Sequence, residues 1–167
     1  MTKNLLSFLL SLTVFAFFQA FGQNRDVVLL TSGTIEVPVG HMEISKAEHE
    51  LSEYQNRNFV YLHFEVIPSA VLTEQLRQEG VILEEYLPHN SYRAIFEKNV
   101  SSATLSRYYA DAVMIPQAKW KMAFTPGVDF PQHAVQGSDL LLNVSYSKQV
   151  SRMDMEAAFL RAGAYLM

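Results

Sequence analysis

The stretch FVYLHFEVIP, residues 59–68, constrains the fold more than any other part of the chain. Val60, Leu62, Phe64 and Val66 fall on one side of a period-two pattern, and Phe59, Tyr61, His63, Glu65 and Ile67 on the other. That alternation predicts a strand with one uniformly apolar face and one mixed face. Pro68 ends it, because proline cannot donate to a ladder, and Ser69 is placed to cap a short helix. Leu72 and Leu76 lie one turn apart on that helix, and Gly80 supplies the left-handed residue that closes it. VILEEY at 81–86 reads as a second strand. In EEYLPHNSYRAIFE, residues 84–97, Pro88 breaks the ladder while His89, Asn90 and Ser91 accept turn conformations. The quoted stretch is therefore a hairpin, and residues 92–97 return as a third strand. Ser101 opens a second helix running to about residue 109, and ADAVMIP forms a fourth strand ended by Pro116.

Strand, helix, strand, strand, helix, strand within residues 59–116 predicts an α+β fold of ferredoxin-like split βαβ type. Its antiparallel sheet carries two helices on one face. The apolar side of the first strand is expected to pack on Leu72, Leu76 and Leu105. The mixed side is expected to be open or covered by another segment.

The flanks read differently. After a leader at 1–22, residues 23–58 hold two short strands around a Ser-Gly turn (DVVLLTSGTIEVP) and a polar, solvated connector with partial helix over 45–54. Residues 117–138, with Pro126, Gly127, Pro131 and Gly137 around KWKMAF, read as a linker or strap. Residues 139–167 restart the strand-helix-strand phrase. DLLLNVSY is a strand, Ser151 and Asp154 form a capping box, Gly163 stops the helix, and AYLM begins another strand. Aligning Gly80 with Gly163 sets Leu76 against Phe159 and Leu72 against Met155. This partial second βαβ unit would leave a sheet edge unpaired, so a chain that continues, or one that has been cut short, is expected.

Lys3 is the only charge before Arg25, and residues 5–18 are apolar apart from Ser and Thr. This is the pattern of an export signal, too short for the ~20 residues a spanning helix needs. Ala20 and Gly22 occupy small-residue positions, which starts the mature chain near Gln23, periplasmic, cell-surface or extracellular, with no stable membrane span. Cysteine is absent, so neither a disulfide nor a lipid-bearing cysteine is available. A net charge of −4 with scattered Lys and Arg argues against nucleic acid as a partner.

No motif supplies catalysis. His41 and His49 lie eight apart among glutamates, without the paired spacing a metal site uses, so no metal or other cofactor is expected. There is no G-x-S-x-G elbow and no Gly-rich phosphate loop, and Glu84 and Glu85 are adjacent, so a strand points them to opposite faces. His63 beside Glu65 is the single candidate for an acid–base pair, weighed against a plain polar contact position. Catalysis is not expected of this segment.

Residues 59–121 resemble the N-terminal prodomain-like region of secreted bacterial subtilisin-like serine peptidases of the Bacteroidota type. The matching features are the strand, proline and short helix ending at Gly80, then Leu83, Glu85, Tyr86, Leu87, Pro88, Asn90, Tyr92 and Ala94, with Pro116 and Lys119 at the module's end. Tyr86, Pro88, Asn90 and Tyr92 form the motif turn, and His89 stands where the family often has asparagine. The resemblance implies a propeptide that templates the folding of a catalytic domain, in the same chain or a cognate one, and inhibits it. The catalytic domain itself is absent here. By that analogy Tyr61, His63 and Glu65, with Arg93 and Ile95 beside them, form the contact face. A free-standing exported inhibitor or cell-surface binding module of the same fold is the alternative.

Overall fold

The computed structural model describes residues 27–122, 130 and 132–164, and the expected leader lies outside them. The chain is α+β and divides into two compact units, Met1–Lys121 and Met122–Met167.

In the first unit, β1 (Val27–Leu30) and β2 (Gly33–Glu36) form the expected hairpin, though its two-residue turn is Thr31–Ser32 rather than Ser-Gly, and Gly33 already pairs with Leu30. Helix α1 (Lys46–Ser52) follows, closed at its start by a reciprocal capping box between Ser45 and Glu48. The connector holding it is less solvated than its polar composition predicts. Met42 and Ile44 pack on the main core, and Asn58 Nδ2 donates to Ser52 Oγ (2.8 Å) and the His49 carbonyl (3.1 Å). The connector also ends earlier than residue 58. Gln55 and Asn56 both take positive φ, the turn that suits a tight hairpin, and so join β3 (Glu53–Tyr54) to β4 (Arg57–Phe64).

Helix α2 (Ala70–Gln78) starts at Ser69, whose Oγ accepts from Leu72 N, and ends before Gly80 at φ 86°. Strands β5 (Val81–Leu87) and β6 (Ser91–Phe96) form the hairpin around Pro88, with His89 and Asn90 in left-handed conformation. Helix α3 (Ser102–Arg107), capped by Ser101, leads through Tyr109 at φ 62° into β7 (Ala110–Met114). The strands run β7-β4-β6-β5, every neighbouring pair antiparallel, with β3 beside the start of β4. β4 and β5 are thus parallel to each other across β6, and β6 and β7 across β4.

The main core forms as the alternation predicts. Val60, Leu62 and Phe64 pack with Leu76, Leu105 and Tyr108, so α2 and α3 cover the same face of the sheet, and Leu72 is partly buried against it. Val66 departs from the pattern: β4 stops at Phe64, and Val66 and Ile67 are exposed. Phe64 N donates to the Asn90 carbonyl and Glu65 N to the Tyr109 carbonyl, after which the chain leaves the ladder ahead of Pro68.

The other face of the sheet is covered. Val28 and Ile35 of the β1-β2 hairpin are buried with Tyr61 and Met114, and Leu30, Val37, Leu87 and Trp120 close around them. Trp120, on a 3₁₀ turn at Ala118–Trp120, stacks on Tyr61 at 6.4 Å between ring centroids and accepts a 2.7 Å hydrogen bond from Ser32 Oγ on its carbonyl. The strap expected from residue 117 therefore belongs to the first unit as far as Lys121.

In the second unit, a 3₁₀ turn (Gln132–Ala134) precedes a small hairpin of β8 (Val135–Gln136) and β9 (Asp139–Leu140) around Gly137. DLLLNVSY is a strand only over its first two residues, because beyond Leu140 the described residues supply no strand to pair with it. Helix α4 (Arg152–Arg161) forms where predicted, with Ser151 Oγ accepting from Asp154 N and Gly163 at φ 75°, yet none of its residues is buried. Of AYLM, residues 165–167 lie outside the described residues.

Candidate functional site

Side chains capable of chemistry converge on the hairpin-covered face of the sheet, and the strand registers show how. Tyr61 on β4 pairs with Met114 on β7 and Arg93 on β6, and Arg93 pairs with Glu85 on β5, so four side chains form one row. Arg93 and Glu85 make an ion pair within it. Burial raises the Tyr61 hydroxyl above its ordinary range, and the positive charge of Arg93 partly offsets this.

The next row holds Ala112, His63, Ser91 and Leu87. Here β7 carries a bulge: His63 faces Ala112 and Phe64 faces Ala110, so Asp111 is the extra residue. A bulge breaks the alternation that would otherwise set Asp111 on the helix side of the sheet. Asp111 Oδ1 instead lies 2.5 Å from His63 Nδ1, with the imidazole only 3% exposed and the Asp111 side chain 12%. A carboxylate only accepts, so the His63 proton sits on Nδ1 and is donated to Asp111. The Asp111 carbonyl also accepts from Gly40 N (2.8 Å), and Val113 N donates to the His41 carbonyl (2.8 Å), which pins the connector along the outer edge of β7.

Asp111, His63 and Ser91 thus stand on three adjacent strands in the order used by serine hydrolases, but their setting opposes that chemistry. Ser91 is fully buried and its Oγ donates to the His89 carbonyl (3.1 Å). A nucleophile needs a base in reach and a space for the reacting carbonyl, whereas His63 and Ser91 are both buried. What it does is satisfy a buried imidazole and carboxylate with each other.

Of the expected contact face, Tyr61, His63 and Ile95 are buried, Arg93 is half-buried, and only Glu65 is exposed. The face is therefore not open, because the chain's own hairpin and Trp120 lie on it. Glu65 is not the partner of His63; its backbone ties the end of β4 to Tyr109 and, through its carbonyl, to Asn90 Nδ2 (3.3 Å). The motif turn lies toward the helix side. Tyr86 and Tyr92 are cross-strand partners in edge contact at 5.3 Å, Tyr92 meets Phe64 edge-on at 5.8 Å, and Asn90 locks the turn after Pro88 to the end of β4.

Sequence reasoning missed Asp111, Met114 and Trp120 as members of the mixed face. The lone carboxylate of ADAVMIP was the available signal for Asp111, but alternation directs it to the wrong side. Elsewhere, an open groove of about 510 Å³ runs between α2 and α3, lined by Leu72, Gln75, Gln78, Tyr108 and the Glu79–Arg107 ion pair (3.9 Å). Among the described residues no group of three His, Cys, Asp or Glu side chains is placed to hold a metal, and no helix is long and apolar enough to cross a membrane.

Neither the curated proteins nor the solved structures contain a match to this chain. A family profile, described as Domain of unknown function (DUF8729), matches residues 29–124, from the first hairpin through the last sheet strand and Trp120. This covers more than half of the chain, and the protein belongs to that family.

Proposed function

We propose that residues 27–121 are a non-catalytic, ferredoxin-like accessory module of an exported subtilisin-like serine peptidase, which assists the folding of the catalytic domain and inhibits it. The observation that carries this reading is the β7-β4-β6-β5 antiparallel order with α2 and α3 on one face, which supports a split βαβ reading. The turn at Tyr86, Pro88, Asn90 and Tyr92, which bears the sequence resemblance, adds support, since each of the four has a defined place in or beside the β5-β6 hairpin. The burial of His63 and Ser91, with His63 paired to Asp111, supports a non-catalytic role. The leader-like residues 1–22 support the export part of this reading.

Adding the chain in trans to a refolding bacterial subtilisin catalytic domain tests this. The expected result is faster recovery of activity followed by inhibition at micromolar concentration. Unchanged recovery together with unchanged peptide hydrolysis would remove the prodomain reading.

A further inference from the structure

We propose that residues 139–147 are an intermolecular strand, through which two copies of this chain pair antiparallel about a two-fold axis at Asn143.

The stretch LLLNVSY, residues 140–146, alternates, with Leu140, Leu142, Val144 and Tyr146 on one face. Only its start is paired: Asp139 and Leu140 stand against Gln136 and Val135, and Leu141 N donates to the Ala134 carbonyl (2.7 Å). In a strand continued from there, odd-numbered residues keep facing β8, so even-numbered amides and carbonyls face the open edge. Leu142 is 54% exposed, Val144 47% and Tyr146 43%. Residues 140–147 contain no charge and no proline, the devices with which exposed edges ordinarily avoid pairing.

Self-complementarity identifies the occupant of that edge as a second copy. Pairing about Asn143 sets Leu142 against Val144 and Leu140 against Tyr146, apolar on apolar along the whole face. It also places the Asp139 end of each copy beside the Lys148 end of the other, so the ends meet with opposite charges. Moving the axis to Leu142 sets Tyr146 against Ser138, and moving it to Val144 sets Leu140 against Lys148, so the apolar match selects one register. In that register the even-numbered residues form the hydrogen-bonded pairs, and Asn143 meets its own copy at a non-hydrogen-bonded position. A lone two-stranded hairpin such as β8-β9 is marginal in water, whereas two copies joined this way make one four-stranded antiparallel sheet.

Light scattering on the full chain, recovered after export, should show a dimer at about 100 µM that dissociates on dilution. Leu142→Lys and Val144→Glu should each weaken it at least about tenfold, because each sets a charge against an apolar residue at two places. Mixed together, the two variants should pair again. The register then joins the introduced lysine to the introduced glutamate at one place and leaves Val144 against Leu142 at the other. Two further variants leave the apolar face untouched. Because the chain has no cysteine, Asn143→Cys supplies a single thiol, which should oxidise to a linked dimer with Cα atoms ~4.5 Å apart. Ser145→Cys, which stands against Leu141, should not. A monomer at about 100 µM, failure of the mixed variants to pair, or equal cross-linking at 143 and 145 would each overturn the proposal.

Discussion

Helices α2 and α4 begin and end alike, yet only one of them is built into a core. Each opens on a serine that accepts from the amide three residues on, and each is followed by a glycine at positive φ. In the first unit Leu76 of α2 is fully buried on β4, whereas no residue of α4 is buried and Leu160 is 63% exposed. Caps decide where a helix starts and stops, because they satisfy its orphan amides and carbonyls locally. Burial needs a second surface, and in the first unit β5, β6 and β7 supply it. The second unit has the phrase without that complement among its described residues.

The largest test of this contrast is truncation on the two helices. Leu76→Ala should cost roughly 2–5 kcal/mol of unfolding free energy in urea melts, while Leu160→Ala should stay within about 0.5 kcal/mol. Equal losses would mean that α4 has a core of its own. A second test concerns buried polar pairing, since all the buried polar side chains among the described residues lie in the first unit. Asp111→Ala leaves His63 without its acceptor and should cost roughly 1–3 kcal/mol. Restoration by a second change, His63→Phe, would identify the loss as an unpaired imidazole rather than a damaged bulge.

Capping gives a smaller effect. Ser45→Ala should lower global stability by about 1 kcal/mol, whereas Ser151→Ala should reduce helical circular dichroism without moving the main transition. The capping box also carries a pH signature. Hydrogen bonds from the Ser45 side chain and backbone lower the Glu48 carboxyl below its ordinary range, with His41 helping. Its contribution is present above the ordinary glutamate range and is lost as pH falls through the lowered value, so Glu48→Gln should flatten the acid limb of a stability-versus-pH curve. The smallest expected effect is a gain. Tyr109 holds a left-handed conformation while half exposed, and Tyr109→Gly should raise the unfolding free energy by about 0.5–1 kcal/mol, provided the backbone bond to Glu65 persists.

Much of the first unit was legible from local chemistry. Alternation at Val60, Leu62 and Phe64, serine caps at Ser69 and Ser101, and breakers at Gly80 and Pro88 act over a few residues, so they can be read in order along the chain. The same reading extended β4 to Val66, because side-chain pattern does not show where partner strands run out. It also treated the connector as solvated, although Asn58 and Ser52 satisfy each other in a buried position.

Sequence by itself therefore determined the order of elements, their caps and the helix-bearing face of the sheet, since each depends on periodicity and on groups within a few residues. Tertiary structure alone decided what lies on the opposite face. The bulge that turns Asp111 toward His63, and the hairpin and Trp120 that close over Tyr61, depend on registers between distant segments, with His63 and Asp111 48 residues apart and Ser32 and Trp120 88 apart. No local pattern encodes such a register, because the free energy that selects it comes from burying both surfaces together.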